Sequence, residues 1–98
     1  MKQRETTELL QKNISMLEDH NVKALYLFGS VVRGEDTPGS DVDILVEFQP
    51  DARVGLFGLA RLQRELSEIL GRSVDLATPG SLHEALRDEI LEEAVRAA

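Results

Sequence analysis

Asp41 and Asp43 stand one residue apart in "GSDVDILVEF", and Gly29-Ser30 lies ten residues before them, at the end of the apolar run "VKALYLF". Residues i and i+2 of a strand share a face, so the two carboxylates project the same way, roughly 6.5–7 Å apart along the backbone. Val42, Ile44 and Val46 then face a core. Two aligned anions repel, and one has a raised pKa unless a cation lies between them. An oxygen-preferring divalent ion is the natural partner, since Mg²⁺ binds through one or two carboxylates plus substrate phosphates. Asp75, outward-facing in "RSVDLAT", supplies a third carboxylate if its strand neighbours the first. Taken alone, a D-x-D pair reads as decoration of a solvated sheet face, since the motif is common. The D-x-D-x-D-G spacing and bidentate Glu of an EF-hand loop are missing.

Gly29-Ser30 brings complementary chemistry. It follows a strand directly, and Val31-Val32-Arg33 can open a helix. Backbone N–H groups at such a junction receive anions, and a glycine lets a phosphate approach closely. The G-x-x-x-x-G-K of a P-loop is absent. Phosphate donors on one side and a metal site on the other suit phosphoryl or nucleotidyl transfer, where catalysis is mostly positioning and charge neutralisation.

The elements that must position these groups follow from periodicity. Leu10, Ile14 and Leu17 predict an amphipathic helix over 6–19, and residues 22–28 predict a buried strand. Residues 31–40 begin as a helical turn and end in the breakers Pro38 and Gly39. A second strand spans 41–48. Leu59, Leu62, Leu66 and Ile69 line one face of a helix over 54–70, with Gly71 at its C-terminal stop. A third strand covers 72–78. Ser81 and Glu84 read as a capping box for a last helix over 81–96, striped by Leu82, Leu86, Ile90 and Ala94. The order αβ(α)βαβα predicts an α+β (α/β-like) fold, a small mixed β-sheet flanked by helices, with strand directions open.

The 98 residues suffice for one compact domain, 1–98. Eleven Lys and Arg against 18 Asp and Glu give a net charge of −7, which argues against a general nucleic-acid binder. The same acidity suits either a basic protein partner or simple solubility. With no cysteine, disulfides and thiolate metal sites are excluded. Neither a signal-peptide pattern nor a membrane-length apolar run is present, and a cytoplasmic protein is the expectation. His20 and His83 read as solvent-exposed, and Arg53, Arg61 and Arg64 as a solvated helix face with a partner or nucleotide contact as the alternative.

Gly29-Ser30, ten residues, then Asp41-Val42-Asp43 resembles the GSx10DxD signature of the polymerase-β-like nucleotidyltransferase superfamily. "LYLFGSVVRGE", "GSDVDILVEF" and "SVDLAT" are similar to the minimal nucleotidyltransferases, the MNT antitoxins of HEPN/MNT toxin–antitoxin pairs. The resemblance covers residues 5–96 and implies the minimal polymerase-β-type fold. It implies that Asp41 and Asp43 bind two catalytic Mg²⁺ ions, with Asp75 as third ligand and as general base or its orienter. Gly29 and Ser30 would hold the triphosphate of ATP. Ser40 matches the family's "SDxD", with a phosphate contact or a loop-stabilising role; Arg33 matches an arginine that contacts phosphate, with a salt bridge to Glu35 or Asp36 as the alternative. Val31-Val32 departs from the polar or basic residues frequent there.

About 50 residues follow the second strand, and one helix, one strand and a final helix consume them. No acceptor-binding domain is visible, so a macromolecular acceptor is the simpler one. The resemblance implies a partner HEPN ribonuclease toxin, adenylylated on tyrosine. Three alternatives remain: an antitoxin acting by occlusion, a small-molecule nucleotidyltransferase, and a metal-binding structural domain.

Overall fold

The computed structural model describes residues 2–35, 37 and 39–98. Four strands form one mixed sheet: β1 (Val22–Phe28), β2 (Val42–Phe48), β3 (Val74–Ala77) and β4 (Val95–Arg96), in the order β3-β2-β1-β4. β1 runs antiparallel to β2 and to β4, whereas β2 and β3 are parallel. Parallel neighbours need a crossover, and α4 (Leu56–Leu70) provides it.

Alternation gives the sheet two unlike faces. Leu25, Leu27, Val42, Ile44, Val46, Val74 and Leu76 join Leu10 and Leu17 of the N-terminal helices and Leu62, Leu66 and Leu70 of α4 in one core. Their neighbours in sequence, Tyr26, Phe28, Asp43, Leu45 and Asp75, take the opposite face. Gly71 ends α4 in the left-handed conformation (φ 66°), its N–H bonded to the Ser67 carbonyl at 2.9 Å, as expected from its place in the sequence.

Three expectations need correction. The helix predicted over 6–19 is two helices, α1 (Gln3–Gln11) and α2 (Ile14–Asp19). Asn13 breaks it: its side-chain Nδ2 donates to the Leu9 carbonyl at 2.8 Å, competing with the backbone ladder. Leu10 and Leu17 are still buried, but Ile14 is exposed. The helix predicted over 81–96 is also divided. Pro79–Ser81 is a single 3₁₀ turn boxed by Thr78 and Ser81, so Ser81 caps that turn and not α5 (Glu84–Glu93). The cap of α5 is His83, whose Nδ1 accepts from the Ala85 N–H at 3.2 Å. The chain then turns extended at Ala94 and adds β4, an unforeseen strand that seats Ala97 in the core through Ala97 N–H to the Leu25 carbonyl at 2.8 Å. His20 caps the C-terminal end of α2, but its side chain is only 18% exposed and is paired with Glu65 of α4. His83, Arg61 and Arg64 are exposed, as expected; Arg53 is exposed too but lies in the loop before α4 and not on its face.

Candidate active site

Strand register builds the site. Phe28 of β1 pairs with Asp43 of β2, and Asp43 pairs with Asp75 of β3, so one row crosses three strands on the face away from the core. Asp41 stands just before β2, on the same side as Asp43 by alternation and nearer the strand's mouth. The three acids named from sequence therefore share one end of one face. Asp41 and Asp75 are exposed and Asp43 is half-buried.

β1 delivers the glycine turn to the same place. After Phe28 the chain reverses at Gly29 (φ 76°, ψ −148°), a conformation favouring glycine, and enters the short helix α3 (Ser30–Arg33). Gly29 lies directly against the acid row: a Cβ built there would fall 2.1 Å from Asp43 Oδ2. Glycine is thus required twice, by the backbone and by the space. Gly34 closes α3 in the left-handed conformation, and the N–H groups of Gly34 and Glu35 both reach the Ser30 carbonyl. The first amides of a helix have no acceptor within it, and here they follow directly on the glycine that touches the Asp43 carboxylate.

Burial first, then the charges of Asp75 and Asp41 and more weakly Glu93, hold the Asp43 carboxyl above the usual carboxylate range; Arg33 opposes them. Such an environment wants a cation. Among the described residues no group of three or more carboxylate or imidazole side chains is placed to hold a metal ion, so Asp41, Asp43 and Asp75 do not form the ready-made three-acid site expected from the sequence. Instead the donor set is an open row of hard oxygens beside a glycine that leaves a cradle. That set fits Mg²⁺, which keeps several waters and takes substrate phosphates alongside one or two carboxylates.

Arg33 sits next to the turn and is held on two sides. Its Nε donates to Glu35 at 3.1 Å and its Nη1 to Glu93 at the end of α5 at 2.7 Å. The predicted pairing with Glu35 is present; Asp36 and Pro38 lie outside the described residues. Ser40 serves the loop: its Oγ accepts from the Thr37 N–H at 2.9 Å and pairs with the Thr37 hydroxyl at 3.0 Å. A larger cleft of about 430 Å³ lies at the opposite end of the sheet, by Asn21, Arg53 and Phe57, and none of the site acids lines it.

A family model described as nucleotidyltransferase domain matches residues 8–97. The chain belongs to the nucleotidyltransferase-domain family. A Methanocaldococcus jannaschii protein named as a candidate protein adenylyltransferase is 47% identical over 88 residues, covering 90% of this chain and 92% of the relative. Protein adenylyltransferase MntA of Thermococcus cleftensis is 38% identical over 78 residues, covering 80% and 77%. Among solved structures, a candidate minimal nucleotidyltransferase superposes with a TM-score of 0.79 at 33% identity, covering 97% of this chain and 95% of that one. A toxin–antitoxin complex with AMP-PNP superposes with a TM-score of 0.73 at 26% identity, covering 90% and 71%. The small mixed α+β architecture is the minimal nucleotidyltransferase fold, as the GSx10DxD resemblance implied, and the chain is a nucleotidyltransferase.

Two residues of this nucleotidyltransferase escaped the sequence reading. Glu93 reaches Arg33 from 60 positions away, and Arg72 donates from Nη2 to the carbonyls of Thr37 (2.7 Å) and Ser40 (2.6 Å), tying down the loop that leads to Asp41. Both contacts join segments distant in sequence, and no local pattern announces them.

Proposed function

We propose that residues 1–98 act as a single Mg²⁺-dependent nucleotidyltransferase domain that moves AMP from ATP to a tyrosine hydroxyl of a partner HEPN ribonuclease toxin, and so works as an antitoxin. The observation that carries the reading is the contact of Gly29 with the Asp43 carboxylate, in a row that Asp75 extends. The free first amides of α3 and the acidic oxygens then lie side by side, which supports a phosphate held next to a metal ion. The names of the relatives, protein adenylyltransferases, support the acceptor class, and the toxin–antitoxin neighbour with AMP-PNP supports both the partner class and the nucleotide. The chain's acidity suits a basic, RNA-binding partner. Among the described residues no helix is long and apolar enough to cross a membrane.

Asp41, Asp43 and Asp75 would hold the divalent ions, which when bound neutralise the triphosphate and make the acceptor hydroxyl more acidic. Gly29 and Ser30 would cradle the triphosphate through backbone N–H groups, Ser30 adding its hydroxyl. The acceptor oxygen attacks the α-phosphorus, a P–O bond to the acceptor forms, and the bond to the departing pyrophosphate breaks. The hydroxyl proton passes to Asp75 or to a water that Asp75 orients. Arg33 would meet phosphate only if Glu35 or Glu93 yielded it, whereas Ser40 supports the loop.

Incubation with ATP, Mg²⁺ and the partner is expected to raise the toxin's mass in multiples of AMP. Asp41→Ala/Asp43→Ala should abolish that gain. Neutralisation that survives the double substitution would instead make occlusion the mode of action, and labelling of a metabolite in place of protein would make the acceptor small.

A further inference from the structure

Beyond the acid row, the open face of the sheet carries an apolar recess. Tyr26 of β1 and Leu45 of β2 are register partners one strand period behind the Phe28–Asp43 pair, so they share the face of Asp43. Leu91 and Ala94, at the end of α5, close the recess into a cleft of about 200 Å³. That is below the roughly 300–1,000 Å³ of pockets that enclose whole drug-sized ligands, and suits one flat ring system.

Position decides what the ring belongs to. The walls are β1, which carries the Gly29 turn, Leu45 of the neighbouring β2, and the end of α5; no residue of β3, the strand of Asp75, lines the cleft. Leu91 and Ala94 flank Glu93, whose carboxylate accepts from Arg33 just after the turn. The cleft is therefore tied to the phosphate side of the row and not to the side of Asp75, where the acceptor is activated. α5 buries none of its residues, and Leu91 is 48% exposed, so this wall stands free to receive a ligand.

We propose that the cleft of Tyr26, Leu45, Leu91 and Ala94 seats the nucleobase of the nucleotide whose triphosphate lies at Gly29–Ser30. The inference rests on the nucleotide reading of the turn given above. The base stacks against or beside the Tyr26 ring and excludes water from the apolar walls. The lining side chains offer only the Tyr26 hydroxyl as a hydrogen-bonding group, so shape and burial dominate recognition.

Tyr26 is the single tyrosine of a chain without tryptophan, so its ring protons give one unambiguous NMR reporter inside the cleft. Mg²⁺–ATP is expected to shift both the Tyr26 ring signals and the Gly29 and Ser30 amides; Mg²⁺–tripolyphosphate should shift the amides alone. Ala94→Leu, which fills the cleft, should weaken ATP at least tenfold and leave tripolyphosphate binding unchanged. Leu91→Ser, at a half-exposed position, should weaken ATP selectively in the same sense. Equal Tyr26 shifts with both ligands, an unaltered ATP affinity in Ala94→Leu, or Tyr26 shifts produced only by an added acceptor protein would each overturn the proposal. If neither ligand moves the Gly29 and Ser30 amides, the nucleotide reading of the turn itself fails, and the base site falls with it.

Discussion

Asp43 combines burial with two neighbouring anions, which on the proposed function is a cost carried for the sake of a metal ion. Because the folded chain holds this carboxyl above its ordinary range, it binds the proton more tightly than the unfolded chain does. The sign follows from linkage: the stabilising contribution is complete below the unfolded carboxyl's pKa of about 3.9, and is lost as pH rises through the raised folded value. Above that window the anionic side chain subtracts from stability. Asp43→Asn is therefore expected to stabilise the metal-free protein at neutral pH by about 1 kcal/mol, or ~4–8 °C in Tm for a domain of this size. Thermal melts in chelator from pH 3 to 8 check it: the wild-type curve should fall relative to the variant as Asp43 ionises. Parallel curves would show that the repulsion is already relieved by solvent. Added Mg²⁺ should raise the wild-type Tm, by about 2.7 kcal/mol of linkage at a hundred times its Kd, and raise that of Asp43→Asn much less.

At the level of elements, what the sequence made legible was whatever carries its own period. β1, β2 and α4 lie within two residues of their predicted ends because each holds an alternating or 3.6-residue apolar pattern with a stop beside it. The acid row was half legible: alternation placed Asp41 and Asp43 together, but the pairing of Asp43 with Asp75 needs parallel strands and a crossover, which no local pattern specifies. α5 misled in a different way. Its stripe of Leu86 and Ile90 is genuine, yet the helix finds no face to bury it on, and β4 is set by pairing with β1 some 70 positions away. Arg72 belongs with these long-range devices, since one guanidinium holds two carbonyls of the loop before Asp41. Arg72→Ala is expected to cost only about 1 kcal/mol of global stability, the usual net worth of such bonds near the surface, while lowering AMP transfer by an order of magnitude. Hydrogen exchange should localise the loss of protection to Ser40 and its neighbours. Arg72→Lys should restore part of that activity, because both bonds leave one nitrogen, Nη2, and an ammonium also offers several donors from one point. Full activity in Arg72→Ala would mean that the acids keep their places without the tether.

For the whole molecule, the open face and the net charge of −7 act together. One side of the sheet is sealed by α1, α2 and α4; the other presents the acids, the glycine turn and the apolar cleft. On the proposed function, a macromolecular acceptor would approach this open face, bringing its own hydroxyl to Asp75 and its own surface to complete the enclosure. An acidic protein meeting a basic one is steered by long-range charge, which raises the association rate and is screened over about 10 Å at 0.1 M salt. Contacts made after docking are screened far less. Association with a basic toxin is thus expected to slow by one to two orders of magnitude between about 50 and 500 mM NaCl, with dissociation changing only a few-fold. Stopped-flow or surface-binding kinetics at several salt concentrations separate the two rates. If salt instead acted chiefly on dissociation, close ion pairs within the interface would be holding the complex, and net charge would have no part in bringing the partners together.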